Sequence, residues 1–203
     1  MSEGREPLRL VLATANPHKA TEIRSILAAA GVPVDLVPRP DDVPDVVEDA
    51  PDLVGNARLK AVALAEATGL PALSDDTGLE VDALDGRPGV RSARYAGEDG
   101  DAVANVAKLL GELADVAPEG RTARFRTVVM VRWPDGREVA AEGVVEGVIA
   151  AAPRGDGGFG YDPVFLADEG DGLSFAEMDA AAKDAISHRG RALRAVATLL
   201  GSI

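Results

Sequence analysis

Hydrophobic positions in the first forty residues change their spacing twice, and this predicts a strand, a helix and a second strand. Residues 8–13 form a short apolar run, which is typical of a buried strand. Apolar residues then recur at helical spacing from Ile23 to Leu27, until Gly31 ends the pattern. A second short apolar run at residues 34–37 predicts the next strand.

Three later segments also carry the helical period. Residues 52–68 keep apolar positions on one face and stop at Gly69, a residue that commonly follows the last turn of a helix. Residues 101–113 predict an amphipathic helix. The last helix has apolar positions between residues 193 and 200, and Ser187 is a suitable N-cap for it.

Residues 124–133 and 139–149 have a period of two instead. Both segments are rich in β-branched side chains, and the sequence Pro-Asp-Gly at residues 134–136 separates them. This combination predicts a β-hairpin.

Two adjacent carboxylates, Asp75 and Asp76, lie between the apolar runs 70–73 and 79–84, where we predict strand, sharp polar turn and strand. At the end of a strand both side chains can reach one pocket. Carboxylate oxygens suit Mg²⁺, which takes one or two of them and completes its shell with water and phosphate. Because Asp, Ser and Gly are common turn residues, a plain solvated turn is the alternative.

The segment from Thr14 to Lys19 joins the first strand to the first helix. Asn16 is a good N-cap, and Pro17 is suited to the first helical position. Free N–H groups and the positive end of the helix dipole favour an anion there, and Lys19 adds a full charge. The segment lacks the glycines of a P-loop, so a simple capped turn is the alternative.

Residues 38–51 are rich in Pro and Asp and form either a solvated loop or the acidic rim of a site. Glu48 is the carboxylate of interest there, with Asp45 and Asp49 as rivals. Asn56 and Lys60 are four residues apart and share one side of the following helix. Taken alone, that side is interpreted as a solvent face.

Residues 155–162 place Phe159 and Tyr161 among four glycines, in a chain with only 3% aromatic residues. We expect such aromatics to lie outside the core and to stack on a base, a contact that contributes about 1–3 kcal/mol; a merely flexible glycine loop is the alternative.

His188 and Arg189 follow Ser187 in the first turn of the last helix. Cations there oppose the helix dipole, which suggests a ligand.

Composition restricts the classes of partner. The net charge of −13 argues against a nucleic acid partner on electrostatic grounds. The absence of cysteine excludes disulfides and thiolate metal sites. There is no apolar signal segment at the start and no run long enough to span a bilayer, so we expect a cytoplasmic protein without a membrane partner.

Five clusters in this order resemble the inosine/xanthosine triphosphate pyrophosphatase family, which removes non-standard purine nucleotides. The resemblance extends from about residue 8 to residue 200. Ala15 replaces the usual Gly, and Thr77 replaces the Ser of many members but keeps the hydroxyl. The clusters are Thr14-x-Asn16-x-x-Lys19, Asn56 with Lys60, Ser74 to Leu79, Phe159 to Pro163, and Ser187-His188-Arg189.

The resemblance implies an α/β fold with a long twisted mixed sheet, flanking helices, two lobes and a nucleotide cleft between them. It also implies one domain over residues 1–203, a homodimer, and Mg²⁺-dependent hydrolysis of dITP, ITP and XTP to the monophosphate and pyrophosphate. We expect residues 1–7 to be disordered.

The resemblance also assigns roles to residues. Asp76 is the general base and a metal contact, with Asp75 and Glu48 as further metal ligands. The donors expected to pair with the 6-oxo group of the base are Lys183, His188, Arg189 or a backbone N–H. Phe159 stacks on the base and Asp162 helps to hold its edge. The other residues expected to contact the substrate are Thr14, Ala15, Asn16, Pro17, His18, Lys19, Thr77, Gly160 and Tyr161.

Two other functions fit parts of the pattern. A pyrophosphatase for modified pyrimidine nucleotides would share the phosphate site and the carboxylates, but the clusters at residues 159–163 and 187–189 argue against it. A nucleotide sensor without turnover would not need the Asp75-Asp76 pair. A substrate panel separates these hypotheses.

Overall fold

The computed structural model of the chain describes residues 6–97 and 100–202. The expected disorder concerns residues 1–7, of which 1–5 lie outside the described part; Glu6 and Pro7 are exposed and precede the first strand. The helices are α1 (Pro17–Ala29), α2 (Leu53–Thr68), α3 (Ala102–Glu112), α4 (Ala180–Ile186) and α5 (His188–Gly201). The strands are β1 (Leu8–Leu12), β2 (Val34–Val37), β3 (Ala72–Val81), β4 (Pro88–Gly89), β5 (Thr122–Arg132), β6 (Glu138–Ile149) and β7 (Phe165–Ala167).

The strands form one seven-stranded sheet in the order β2-β1-β3-β5-β6-β7, with β4 paired to β3. Strand β1 pairs in parallel with β2 and with β3, whereas the β3–β4 and β6–β7 pairs are antiparallel. The predicted α/β fold with a mixed sheet and flanking helices is therefore confirmed. The cleft between two lobes and the single domain stay predictions.

The chain divides into two compact units, each built from separate stretches of sequence. Among the described residues, the first unit contains 6–76, 128–142 and 192–202. Its main core packs Leu10 and Leu12 of β1 with Ile23 and Leu27 of α1 and Leu193 of α5. These are the apolar positions that the helical and strand periods predicted, and burying each such side chain stabilises the fold by about 1.5–3 kcal/mol.

The second unit contains residues 77–97, 100–127 and 143–191. Three rings, Phe125, Phe165 and Phe175, lie at its centre, with ring centroids of Phe125 and Phe165 4.7 Å apart in an edge-to-face arrangement. Leu79 of β3 and Leu109 of α3 complete this core. Most of the few aromatics of the chain are thus concentrated in one unit.

The predicted helices and the hairpin are confirmed. Asn16 caps α1 and Ser187 caps α5, where its Oγ accepts a hydrogen bond from the Gly190 N–H. Helix α2 ends at Gly69 in the left-handed conformation, with φ of 65°. Strands β5 and β6 are neighbours in the sheet, joined by a turn in which Trp133 N–H donates to Arg137 O. Among the described residues no helix has the length and apolar character needed to cross a bilayer.

The prediction of a sharp polar turn at Asp75 and Asp76 is wrong. Both residues lie within the continuous strand β3, and only 2% of Asp75 and 5% of Asp76 is exposed. Residue types common in turns lie inside a strand here, because tertiary contacts decide whether a short polar run stays extended.

Candidate active site

The two carboxylates of β3 lie where that strand extends beyond its neighbour. Strand β1 pairs with β3 at Leu12 and Leu73, and Ala13 N–H donates to Leu73 O before the chain turns into the Thr14–Asn16 segment. Asp75 and Asp76 follow directly. In open parallel sheets, ligands bind at the carboxyl ends of strands, at the point where the connections diverge. The connection after β1 leads to β2 on one side and β3 lies on the other, so this is such a point.

Each aspartate has its own lysine. Lys19 Nζ of α1 lies 3.1 Å from Asp75 Oδ2, and Lys60 Nζ of α2 lies 2.8 Å from Asp76 Oδ1. The capped first turn of α1 and the second turn of α2 deliver these ammonium groups from two helices. Two adjacent buried carboxylates would otherwise repel each other, and the lysines compensate for that repulsion.

Glu48 joins the same cluster. Its Oε1 lies 3.2 Å from Lys60 Nζ, so a single ammonium lies between the carboxylates of Glu48 and Asp76. Asp45 and Asp49 are the rival acids of the same loop. Asp45 forms an ion pair with Arg39 at 2.7 Å. Asp49 is exposed and has no hydrogen bond or ion pair within the described part of the chain.

The interpretation of Asn56 and Lys60 as a solvent face is wrong. Only 1% of Asn56 is exposed, and its Oδ1 accepts a hydrogen bond from Ala50 N–H, which ties the end of the acidic loop to α2. Ser74 of β3 donates from Oγ to Ala57 O and holds the same turn of the helix against the strand. The period of four showed that Asn56 and Lys60 share a face, but only the packing shows that this face is buried.

Burial and charge act in opposite directions on the Asp76–Lys60 pair. Burial raises the pKa of Asp76, and the Lys60 and Lys19 ammonium groups reduce that rise without cancelling it. Burial acts to lower the pKa of Lys60, but the charges of Asp76, Asp75 and Glu48 outweigh it and raise this pKa above its ordinary value. A carboxylate with a raised pKa is a better acceptor of a proton from water.

The Thr14–Lys19 segment is ordered by its own side chains. Thr14 Oγ1 accepts from Asn16 N–H, and Asn16 Oδ1 accepts from the N–H groups of His18 and Lys19. A phosphate at this helix terminus would therefore share those donors with the cap. The exposed Ala15, Pro17 and His18 leave the loop open to a ligand.

A cavity of about 570 Å³ adjoins this loop. Residues 14–17 line one side of it, and Arg24 of α1 and Arg39 line others. Arg24 gives no signal in the sequence, because one exposed arginine on a helix forms no pattern.

In the second unit, the glycine-rich loop surrounds an ion pair. Lys183 Nζ lies 2.6 Å from Asp162 Oδ2, and the same carboxylate oxygen accepts a hydrogen bond from Phe159 N–H. Gly158, with φ of 67°, makes this possible, because a Cβ there would lie 2.1 Å from that oxygen. Lys183 and Asp162 are both at least nine-tenths buried. Gly160 also has a positive φ, of 63°.

The Phe159 ring lies beside two cations. Lys183 Nζ is 4.9 Å from the ring centroid, and the Arg189 guanidinium carbon is 5.6 Å from it. Only 1% of Arg189 is exposed, and its Nη2 donates to Thr77 Oγ1 at 3.1 Å. His188 stacks on Phe125, with ring centroids 4.5 Å apart. The structure thus brings Phe159, Asp162, Lys183, Arg189 and Thr77 together.

The expectation that both aromatics of the glycine loop lie outside the core is wrong for Tyr161. This side chain is 5% exposed, belongs to the core of the second unit and donates from its hydroxyl to Ser92 O at 2.8 Å. Phe159 is half-buried, as expected. The hydroxyl of Tyr161 thus anchors the loop to the segment that follows β4, which the sequence spacing did not indicate.

The carboxylates provide oxygen ligands only. Within the described ranges, no three His, Cys, Asp or Glu side chains converge as a ready metal-binding group. Glu48 and Asp76 nevertheless both contact the Lys60 ammonium, and one or two carboxylates are what Mg²⁺ usually takes from a protein. The pair therefore fits a hard divalent cation that completes its shell with water and phosphate.

Comparison with known proteins agrees with these features. The Ham1 family model matches residues 10–199. A protein from Streptomyces coelicolor named dITP/XTP pyrophosphatase is 52% identical over 190 residues, 93% of this chain and 94% of that protein. A protein of the same name from Frankia alni is 51% identical over 201 residues, 97% of this chain and 98% of that protein.

Solved structures of similar proteins match this chain over nearly its whole length. A HAM1 protein from Coxiella burnetii superposes with a TM-score of 0.87 at 38% identity, over 97% of this chain and 100% of that one. A nucleoside-triphosphatase / dITP/XTP pyrophosphatase from Mycobacterium abscessus gives 0.74 at 43% identity, over 95% of this chain and 99% of that one. The match of sequence and fold over nearly the whole length confirms the predicted resemblance: the chain belongs to the Ham1 family.

Proposed function

We propose that this chain hydrolyses the non-standard purine nucleoside triphosphates dITP, ITP and XTP to the monophosphate and pyrophosphate. The names of relatives about 50% identical over most of the chain support the substrate class. The observation that carries the chemistry is that Asp76 and Glu48 both contact the Lys60 ammonium, next to Asp75 and its partner Lys19. Transfer at phosphorus needs mainly positioning and neutralisation of charge, and this cluster offers both.

Mg²⁺ is the proposed cofactor, held by Asp76 and Glu48, with Asp75 as a further candidate ligand. When bound, the ion neutralises phosphate charge and orients the attacking water. Lys19 and Lys60 are the resident cations beside these carboxylates. With the carboxylates holding the ion, Lys19 and Lys60 would offer their ammonium groups to the phosphates.

Asp76 is the proposed general base. It accepts a proton from the water that attacks the α-phosphorus, and burial raises its pKa in the direction this task requires. Thr14, Asn16 and Lys19 are the proposed contacts of the triphosphate, with the open loop at Ala15, Pro17 and His18 around it.

Selection of the base is assigned to the second unit. Hypoxanthine and xanthine have an acceptor oxygen at position 6, where adenine has a donor amino group. Arg189 and Lys183, with His188 beside them, present donors and leave them unpaired against adenine, which costs about 1–3 kcal/mol per buried group. Phe159 is proposed to stack on the base, Asp162 to hold its edge, and Thr77 and Gly160 to contribute the surrounding surface, while Tyr161 anchors the loop from the core.

The test measures pyrophosphate and phosphate release from ITP, XTP, GTP, ATP and a modified pyrimidine triphosphate, with Mg²⁺ and with EDTA. We expect metal-dependent pyrophosphate release, mainly from ITP and XTP. In water labelled with ¹⁸O, the label should enter the monophosphate, since attack at the α-phosphorus places it there. Turnover mainly of the pyrimidine would favour the first alternative, and ITP binding without turnover would favour a sensor.

The assembly and location of the protein are further proposals. The family resemblance supports a homodimer of a single 203-residue domain, which sedimentation velocity tests directly: a species of the monomer mass at micromolar concentration would contradict it. A cytoplasmic location is proposed because the nucleoside triphosphate pool is there. No nucleic acid or membrane partner is proposed for a chain with a net charge of −13.

A further inference from the structure

Thr127 carries a hydroxyl at a fully buried position. It lies on β5 between the core residues Phe125 and Val129, and none of its surface is exposed. A buried hydroxyl is costly unless it forms a hydrogen bond, and Val would fill nearly the same space without that cost. The question is therefore what the hydroxyl does.

The hydroxyl contacts one member of the base-recognition cluster. Thr127 Oγ1 lies 2.6 Å from Thr77 Oγ1, and Thr77 Oγ1 accepts a hydrogen bond from Arg189 Nη2 at 3.1 Å. The three side chains form a chain from β5 through β3 to the first turn of α5. Thr77 is half-buried, whereas Thr127 is out of reach of any ligand.

The contact restricts Thr77. A hydroxyl has one proton and two acceptor positions, so Thr77 can accept from Arg189 while it shares a second hydrogen bond with Thr127. Without the Thr127 hydroxyl, Thr77 loses a hydrogen bond that helps to hold its oxygen toward Arg189. If Thr77 donates to Thr127, its oxygen also becomes a better acceptor for the guanidinium, because linked hydrogen bonds polarise one another.

We infer that Thr127 is a positioning residue for base selection: through Thr77 it fixes the direction of the Arg189 guanidinium, and so contributes to discrimination between 6-oxopurine and 6-aminopurine nucleotides. This inference rests on the proposed function. It assigns no contact with substrate to Thr127, which distinguishes it from Thr77 and Arg189.

The test compares Thr127→Val, which removes the hydroxyl and keeps the volume, with Thr127→Ser, which keeps the hydroxyl. The readout is the ratio of kcat/KM for ITP to that for ATP. We expect Thr127→Val to lower the ratio about fivefold, as for the loss of one hydrogen bond, and Thr127→Ser to change it less than about twofold. Thermal unfolding of both variants checks that each is folded. A merely structural role would lower kcat/KM equally for ITP and ATP and leave their ratio unchanged.

A double-variant cycle tests the route through Arg189. Arg189→Ala by itself should lower the ratio, and adding Thr127→Val should then lower it no further, because the group that Thr127 positions is gone. The inference would be overturned if Thr127→Val lowered the ITP-to-ATP ratio equally in the wild type and in Arg189→Ala. It would also be overturned if Thr127→Ser lowered the ratio as much as Thr127→Val. A wild-type protein that releases no pyrophosphate from ITP would instead overturn the proposed function itself.

Discussion

At the scale of single residues, the candidate functional residues of each unit include charges that are buried in pairs. Asp76 and Lys60, Asp75 and Lys19, and Asp162 with Lys183 each combine an acid and a base within 3.1 Å. Breaking a buried pair from one side usually costs more than the pair contributes, because the remaining charge has no compensation. Substitutions at these positions therefore affect folding and turnover separately, and both must be measured.

Replacing Asp76 with Asn tests the general base. We expect kcat for ITP to fall about 10²- to 10⁴-fold, the usual contribution of a general base. The melting temperature should stay near that of the wild type, since the neutral amide is easier to bury and Lys60 keeps Glu48 at 3.2 Å. Asp49→Asn is the matched control, because that exposed acid lies in the same half of the chain; turnover by Asp76→Asn near the control value would remove the assigned role.

Replacing Lys60 with Met tests the charge balance of the cluster. Asp76 would lose its closest cation, so we expect unfolding in urea at neutral pH to show a loss of about 3 kcal/mol. The Asp76 pKa would rise further, and a raised folded-state pKa gives stability that is present at low pH and lost as pH rises through that pKa. The deficit should therefore be smaller at about pH 5 than at about pH 8; a deficit independent of pH would contradict this account.

At the scale of elements, the close approach of the β6 and β7 backbones limits the side chain that β6 can accommodate at Gly147. Strand β6 pairs with β7 with Gly147 opposite Ala167, and a Cβ on Gly147 would lie 2.2 Å from Leu166 O. Such a contact is shorter than any real Cβ contact and involves backbone, so the two strands would have to separate. By contrast, Gly111 near the end of α3 is exposed, and a Cβ there would meet nothing within 4 Å.

Two glycine substitutions in the second unit should therefore have opposite effects. Gly147→Ala should destabilise the protein by about 1–3 kcal/mol, as overpacking does. Gly111→Ala should stabilise it by up to about 1 kcal/mol, because Ala is the better helix former. Urea unfolding of both variants measures the change in the free energy of unfolding. If Gly147→Ala left this free energy unchanged, the β6–β7 pair could separate at little cost.

At the scale of the whole molecule, both tyrosines of the chain are protected from ionisation. Burial is the largest cause for each: it raises the pKa of Tyr95 to about 12, with Glu112 adding to the effect, and it raises that of Tyr161 still further. Each folded-state pKa lies above the unfolded value of about 10. The resulting stability is fully present below about pH 10 and declines as pH rises toward 12.

Alkaline titration followed by phenolate absorbance checks this expectation. We expect little phenolate in the folded protein at about pH 10.5, where free tyrosine is mostly ionised, and a joint rise of phenolate and loss of circular dichroism at higher pH. The same titration in urea should give an ordinary tyrosine curve. A normal curve for the native protein would contradict the buried positions of Tyr95 and Tyr161.

The sequence by itself determined the order of the elements and the chemical groups of the site. Hydrophobic period, N-caps such as Asn16 and Ser187, and the terminating Gly69 are local features, and local physics is sufficient to specify helices, strands and the hairpin. The same holds for the resemblance, which depends on residues in an order along the chain.

The tertiary structure alone decided which polar groups are buried and what they contact. Asp75 and Asp76 resemble turn residues, and Lys60 resembles a surface lysine, until folding places Lys19 3.1 Å from Asp75 and Lys60 2.8 Å from Asp76. The buried position of Tyr161 and the contact between Thr127 and Thr77 gave no signal for the same reason. Burial depends on contacts between segments far apart in sequence, and no local pattern records those contacts.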